Sequence, residues 1–387
     1  MDQRTNPIFF ALLRSAIRGT PLTEKERGLC TPEVLNEALK IAAKHDIAHL
    51  LALGLQKNAL IPTGNQSIEK CILGAVYRYE RTEYEYKSVC RALEEAKIDF
   101  LPLKGSILRA YYPEPWMRTS CDIDILVHKE SLDAAVAYLS EHLQYAMVTR
   151  SAHDISLAGA SGIHVELHFD LVEEQVANNS ISILSSVWEH ASLREGYESF
   201  YEMSDAFFYF YHIAHMAKHF ENGGCGIRPL IDLWILDRLE GVDTSLRNEL
   251  LAQGALLKFA DTVRALSEVW MDGKAPDALS LRVQDFLLHG GVYGTTENRV
   301  ALRQKKKGGR LGYFMSRLFV PYERLKRYYP ILEKHRWLMP IMQIRRWFML
   351  FRPEIASMAK REIAANSKIE KAKAETMHDF LDDIGLK

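Results

Sequence analysis

A chain of 387 residues with 48% hydrophobic content is long enough for two or three domains and apolar enough to fill their cores, which excludes a disordered or fibrous protein. Its formal net charge of -1 excludes a global electrostatic pull toward nucleic acid or an anionic membrane, although a balanced total can conceal a local imbalance. Cys30, Cys71, Cys90, Cys121 and Cys225 form no C-x-x-C pair, so neither a zinc knuckle nor a disulfide framework is indicated and free thiols in a reducing cytosol are expected.

The N-terminus has no basic region followed by a long apolar core, and no run approaches the roughly 18 apolar residues of a spanning helix. A cytoplasmic protein without a transmembrane segment is therefore expected. Ile8 to Leu13 is too short to span and reads as part of an amphipathic helix. The section 1–96 is helical in pattern throughout. Thr31 and Pro32 supply an N-cap and a first-turn proline for a helix to about Lys44, and Ile47 to Leu55 continues as a second. After Pro62-Thr63-Gly64, the three-four spacing of Ile68, Ile72, Ala75, Tyr79, Thr82, Tyr86, Val89 and Leu93 predicts one long helix.

From Ile98 the texture changes. Asp99 to Leu103 is a short apolar strand closed by Lys104-Gly105-Ser106, and Ser106 to Tyr112 forms a helix that Pro113 and Pro115 end. A strand follows at 122–128, then a helix from Ser131 to Leu143, then strands at 144–149, 153–158 and 162–169, the last two joined across Gly159 to Gly162. Helices are expected at 205–220, 229–239, 244–256 and 259–270. The whole is an α+β protein in which a small mixed sheet, covered by helices on one side, occupies 97–202. Helical regions flank it at 1–96, 203–300 and 301–387.

The last region is strongly basic. Lys305, Lys306, Lys307, Arg310, Arg317, Arg324, Lys326, Arg327, Lys334, Arg336, Arg345 and Arg346 face only Glu323 and Glu333, with Tyr328, Tyr329, Trp337, Trp347 and Phe348 interleaved. Three readings stay open: base stacking, an interfacial helix on a membrane, or helices whose aromatics pack on the body while their cations stay in water.

The chemistry is concentrated at Cys121-Asp122-Ile123-Asp124-Ile125-Leu126-Val127. Alternate residues of a strand share a face, so Asp122 and Asp124 point the same way, either to solvent at a strand edge or into a site. Two adjacent carboxylates repel, and a shared proton or a divalent cation relieves them. Glu166 on a later strand is a third carboxylate, and three on neighbouring strands can bind two Mg²⁺ ions roughly 3.5–4 Å apart, the arrangement that serves in-line phosphoryl displacement. Gly105 and Ser106 at a strand-to-helix turn can admit backbone N–H groups to the β and γ phosphates of a nucleotide.

Taken together, Leu103-Lys104-Gly105-Ser106, Tyr111-Tyr112-Pro113, Arg118, Asp122 to Val127 and Val165-Glu166-Leu167-His168 resemble a family of uncharacterised bacterial nucleotidyltransferases within the DNA polymerase beta-like superfamily. The resemblance covers about 100–170. It implies that Asp122 and Asp124 coordinate both metals and that Glu166 completes the metal site. It further implies that Gly105 and Ser106 bind the triphosphate while Lys104 or Arg118 neutralises developing charge. The implied reaction moves an NMP group from an NTP, with ATP-like binding and Mg²⁺, to an acceptor hydroxyl or phosphate and releases pyrophosphate.

Lys104 read by itself is a surface lysine. His168 and Asp170 share the face of Glu166, as cleft residues acting as base or substrate contact, or as a hydrogen-bonded pair at a strand end. His212, His215 and His219 share a helical face, as metal ligands or as a histidine-lined helix over the site. Arg228 and Asp232, four apart, read as local helix support or as a phosphate contact through Arg228. The acceptor stays open among a small molecule, a peptide or protein, and an RNA held by the basic region. An inactive binding module on the same fold is the competing class.

Overall fold

The computed structural model describes residues 5–62, 64–151, 153–172, 178–306, 309–322, 325–326, 329, 331–349, 364, 366–367 and 371–386. Lys307, Arg324, Arg327 and Tyr328 lie outside them, as do the side chains of Lys305, Lys306 and Arg310. The chain divides into two compact units, Met1–Met216 with Ile227–Leu288, and Ala217–Gly226 with His289–Lys387.

The first unit begins with α1 (Thr5–Arg18), α2 (Glu24–Gly28), α3 (Pro32–Lys44) and α4 (Ala48–Lys57). The Thr31 side chain caps α3 by accepting the Val34 N–H, with Pro32 in the first turn. Ile8, Phe9, Phe10, Ala11, Leu12 and Leu13 are all buried, so this stretch of α1 is enclosed, while half-buried Arg14 and exposed Arg18, four residues apart, mark the polar edge of an amphipathic helix. Gly54 of α4 permits that enclosure, because a Cβ there would sit 2.4 Å from the Leu12 carbonyl oxygen. Phe10 stacks on Trp270, with ring centroids 4.6 Å apart. The predicted long helix is α5 (Gln66–Glu95), capped by Asn65.

The sheet comprises β1 (Phe100–Pro102), β2 (Asp122–Val127), β3 (Ala146–Arg150), β4 (Asp154–Ala158) and β5 (His164–His168). Their spatial order is β1-β2-β5-β4-β3, with β2 and β5 parallel and the other pairs antiparallel. Pro102, which has no N–H to donate, is tolerated because β1 is a terminal strand. Ile123, Ile125, Val127, Val165 and Leu167 enter one core with Val89 and Leu93 of α5 and with Leu132, Ala135 and Leu139 of the helix Leu132–Leu143. One face of the sheet is thus covered by two helices, as the pattern predicted. Between β1 and β2 the expected helix shrinks to a single turn, α6 (Gly105–Leu108), followed by 3₁₀ turns at Arg109–Tyr111 and Pro115–Met117. Tyr112, which precedes Pro113, is already extended, because a proline disfavours helical backbone in the residue before it.

A two-stranded sheet, β6 (Ala191–Leu193) and β7 (Tyr201–Met203), was not foreseen and abuts β1 through the Phe100 N–H, which donates to Ser199 O at 2.9 Å. The helices Asp205–Glu221, Arg228–Leu236, Thr244–Gln253 and Leu257–Asp272 follow the predicted segments closely, and Ala278–His289 adds one more. In the second unit, Thr296–Lys306 and Arg310–Leu318 share a core of Val300, Ala301, Tyr313 and Ala374, while Val320, Leu325, Leu332 and Met342 form another. Among the described residues no helix is long and apolar enough to cross a membrane.

Candidate active site

With Ile123, Ile125 and Val127 committed to the core, the pleat sends Asp122 and Asp124 to the opposite face of β2. The parallel register places Asp124 beside Glu166 and Leu126 beside His168. Donor atoms of Asp124, Glu166 and His168 all fall within 4.8 Å of one another, the one such group of three found among the described residues.

Asp124 Oδ1 accepts from Lys104 Nζ at 2.8 Å and from His168 Nε2 at 2.9 Å, and Glu166 Oε2 lies 3.6 Å from the same imidazole nitrogen. An ionised carboxylate only accepts, so His168 Nε2 carries a proton. Burial alone would raise the Asp124 pKa, but the Lys104 ammonium and the His168 bond outweigh it and hold the carboxyl well below its usual range. Burial raises Asp122, and the charges of Asp124 and Glu166 push it further. Burial would lower the His168 pKa, but its bonds to Asp124 and Glu166 raise it instead.

Lys104 is not a surface lysine. Its φ of +45° lies in the left-handed region, a conformation that costs a non-glycine residue about 1–3 kcal/mol and turns the chain sharply at the end of β1. Its carbonyl accepts the N–H groups of Ile107 and Leu108, and its ammonium reaches across to β2. Gly105 is closely walled, since a Cβ there would meet Ser120 Cβ at 3.3 Å and Arg118 Nη1 at 3.4 Å. The Ser106 hydroxyl oxygen is buried with no partner among the described residues. Because α6 has one turn, its dipole contributes less than the longer helix expected from the sequence.

Arg118 is held from 114 residues away. Its Nε donates to both oxygens of Asp232, at 2.9 and 3.1 Å, and the Tyr112 hydroxyl donates to the same carboxylate at 2.7 Å. Burial and the Asp232 charge keep Tyr112 protonated, with its pKa far above the usual phenol value. Arg118 and Arg228 converge on the Thr119 carbonyl at 3.0 and 2.7 Å. Arg228 also donates to Asp46 Oδ2 at 2.8 Å, an oxygen that Arg78 shares at 3.0 Å. Arg228 and Asp232 therefore each reach out to other elements, while the Asp232 charge still acts on the Arg228 guanidinium.

Tyr112, Asp46, Arg78 and Arg109 were not singled out as site-supporting residues. Arg109 braces the turn by donating from Nε to Gly105 O at 3.0 Å and from Nη2 to Ser120 Oγ at 2.9 Å. The Tyr-Tyr-Pro motif was the one sequence signal for Tyr112, whereas Asp46 and Arg78 have none. Asp170 lies beyond the end of β5, where it accepts the Val172 N–H at 2.8 Å. His212 Nε2 is engaged with Pro229 O at 2.8 Å, His215 is half-buried, and His219 belongs to the second unit. These three histidines form no group of three donors among the described residues.

The donor set suits a hard divalent cation. Asp124 and Glu166 of the converging group offer oxygens, and Asp122 shares their face; burial first, then the charges of Asp124 and Glu166, raises its carboxyl, and a cation relieves that repulsion. A family model described as an uncharacterised nucleotidyltransferase matches residues 32–272, more than half of the chain, spanning α3, the sheet and both partners of the Arg118–Asp232 pair. No curated protein and no solved structure gives a significant match.

Proposed function

This chain belongs to the nucleotidyltransferase family whose model it matches and is a transferase of nucleoside monophosphate groups; from that premise we propose Mg²⁺-dependent transfer from an NTP to a hydroxyl or phosphate of a small molecule, peptide or protein, with release of pyrophosphate. The observation that carries the reading is the gathering of Asp122, Asp124 and Glu166 on one sheet face, with Lys104 reaching that face from the turn before Gly105.

Asp122, Asp124 and Glu166 are the residues to hold the metal. When bound, Mg²⁺ supplies positive charge at the attacking and leaving oxygens and makes an acceptor hydroxyl more acidic. Gly105 lets the backbone approach the triphosphate, and Ser106 offers it a hydroxyl. Lys104 and Arg118 bring cations to the charge that develops on the departing pyrophosphate, and Arg228 extends that cationic wall. His168 orients Asp124 through the hydrogen bond between them. The acceptor oxygen forms its bond to the α-phosphorus while the bond from that phosphorus to the bridging oxygen breaks.

The test is pyrophosphate release from each common NTP, supplied with pooled candidate acceptors in Mg²⁺ or in chelator. Release that requires both Mg²⁺ and acceptor supports the reading. Release of orthophosphate instead, or equal release in chelator, contradicts it.

A further inference from the structure

Two helices of the second unit turn apolar faces outward. In the helix Met339–Met349, Ile341, Ile344, Arg345 and Phe348 are exposed and recur at spacings of three and four, on one stripe with Trp337 of the preceding turn. The inward face is already used, because Met342 packs with Val320, Leu325 and Leu332 and the Gln343 amide donates to Val320 O. In the helix Arg310–Leu318, Leu311, Phe314 and Met315 are exposed while Tyr313 is buried. The two helices meet: Phe319 packs on Trp347 edge to face with centroids 5.6 Å apart, and the Trp347 indole donates to Leu318 O at 2.9 Å. Leu311, Trp337 and Phe348 are 73%, 72% and 69% exposed, far more than an ordinary surface needs.

Lys334, Arg336 and Arg345 are exposed beside these stripes, and Glu333 is the sole acid among the described residues of 309–349. An apolar stripe bordered by cations matches an anionic bilayer, where the side chains enter the interface and the cations meet headgroup phosphates. A second copy of the chain would bring the same positive charge against itself. RNA would be stacked on rings, yet Leu311, Met315, Ile341 and Ile344 of the exposed set offer none, and Tyr322 and Tyr329 already lie beneath Arg336 and Arg345 at 4.6 and 5.7 Å. The patch lies outside the residues matched by the nucleotidyltransferase family.

We propose that this face of the second unit docks the protein reversibly onto an anionic lipid surface. The test is co-flotation of the full chain with vesicles of phosphatidylcholine and phosphatidylglycerol or of phosphatidylcholine alone, at low and high salt. The expected result is flotation with anionic vesicles that weakens with salt and drops by about tenfold or more in both Ile341→Glu/Ile344→Glu and Arg336→Glu/Arg345→Glu, with circular dichroism and NTP binding unchanged. Equal binding to both vesicles, binding to neither, or retention by both variants overturns it. So does displacement of the vesicles by single-stranded RNA, or a doubled mass in light scattering that the Ile341→Glu/Ile344→Glu variant abolishes.

Discussion

Lys104 Nζ lies 2.8 Å from Oδ1 of Asp124, and His168 Nε2 reaches the same oxygen at 2.9 Å. A single carboxylate oxygen thus gathers two nitrogen donors in a buried position, joining the tip of β1 to the middle of β2 and the end of β5. That convergence ties the strained turn at Lys104 to the acids it serves.

Replacing Lys104 with Met removes the ammonium that balances this carboxylate. In chelator we expect a stability loss of about 2 kcal/mol, and a smaller loss in Mg²⁺, because a divalent cation supplies charge to the same carboxylate. Urea unfolding in the two buffers measures both. Equal losses would mean that Asp124 does not hold metal.

Asp232→Asn leaves the Arg118 guanidinium without its countercharge in a buried setting. The expected cost is roughly 3 kcal/mol of stability, together with a raised KM for NTP, since Arg118 flanks Gly105. Tyr112→Phe removes only one hydrogen bond to the same carboxylate and should cost about 1 kcal/mol. Steady-state kinetics beside unfolding curves separate the two variants. An unchanged KM in Asp232→Asn would confine Arg118 to a structural role.

Two glycines in helices should respond in opposite directions to alanine. Gly54→Ala drives a methyl group into the Leu12 carbonyl and is expected to cost about 2 kcal/mol or more, whereas exposed Gly74, with nothing within 4 Å of its added Cβ, should gain about 0.5–1 kcal/mol. Thermal melts of the pair test whether α1 and α4 touch as closely as described.

The buried histidines His45 and His49 set an acid limit. Burial lowers both from the ordinary value to about 4. At pH 7 the folded and unfolded forms are both neutral, so no penalty applies. As pH falls through 6.5 the unfolded chain takes up protons that the folded chain refuses until about 4, and stability is lost across that window. Each histidine contributes roughly 3 kcal/mol to the loss, which His49→Gln should lessen in denaturant titrations at successive pH values.

What the sequence made legible follows the range of the interactions. β2 could be read because its core-facing and site-facing residues alternate within six positions, and α3 because Thr31 and Pro32 mark its start locally. The pairing of Asp124 with Glu166 needed only the order of strands. Lys104 taken by itself reads as a surface residue because Asp124, which engages it, follows 20 residues later. Arg118 and Asp232 lie 114 residues apart, and Arg228 and Asp46 lie 182 apart. Nothing in either segment marks its partner, so i,i+4 spacing pointed to Arg228 and gave no sign of the Arg118 bond to Asp232. β6 and β7 are three residues each, too short to show a period.

The most direct measurement is transfer of label from α-phosphate-labelled NTPs in Mg²⁺ to acceptors of a cell extract, by the wild-type chain and by Asp122→Asn/Asp124→Asn. Label should pass to an acceptor with the wild type and fall by about a thousandfold or more in the variant, whose circular dichroism stays unchanged. Transfer that persists in the variant, or that is obtained from γ-labelled but not α-labelled NTP, would contradict nucleotidyl transfer at these carboxylates.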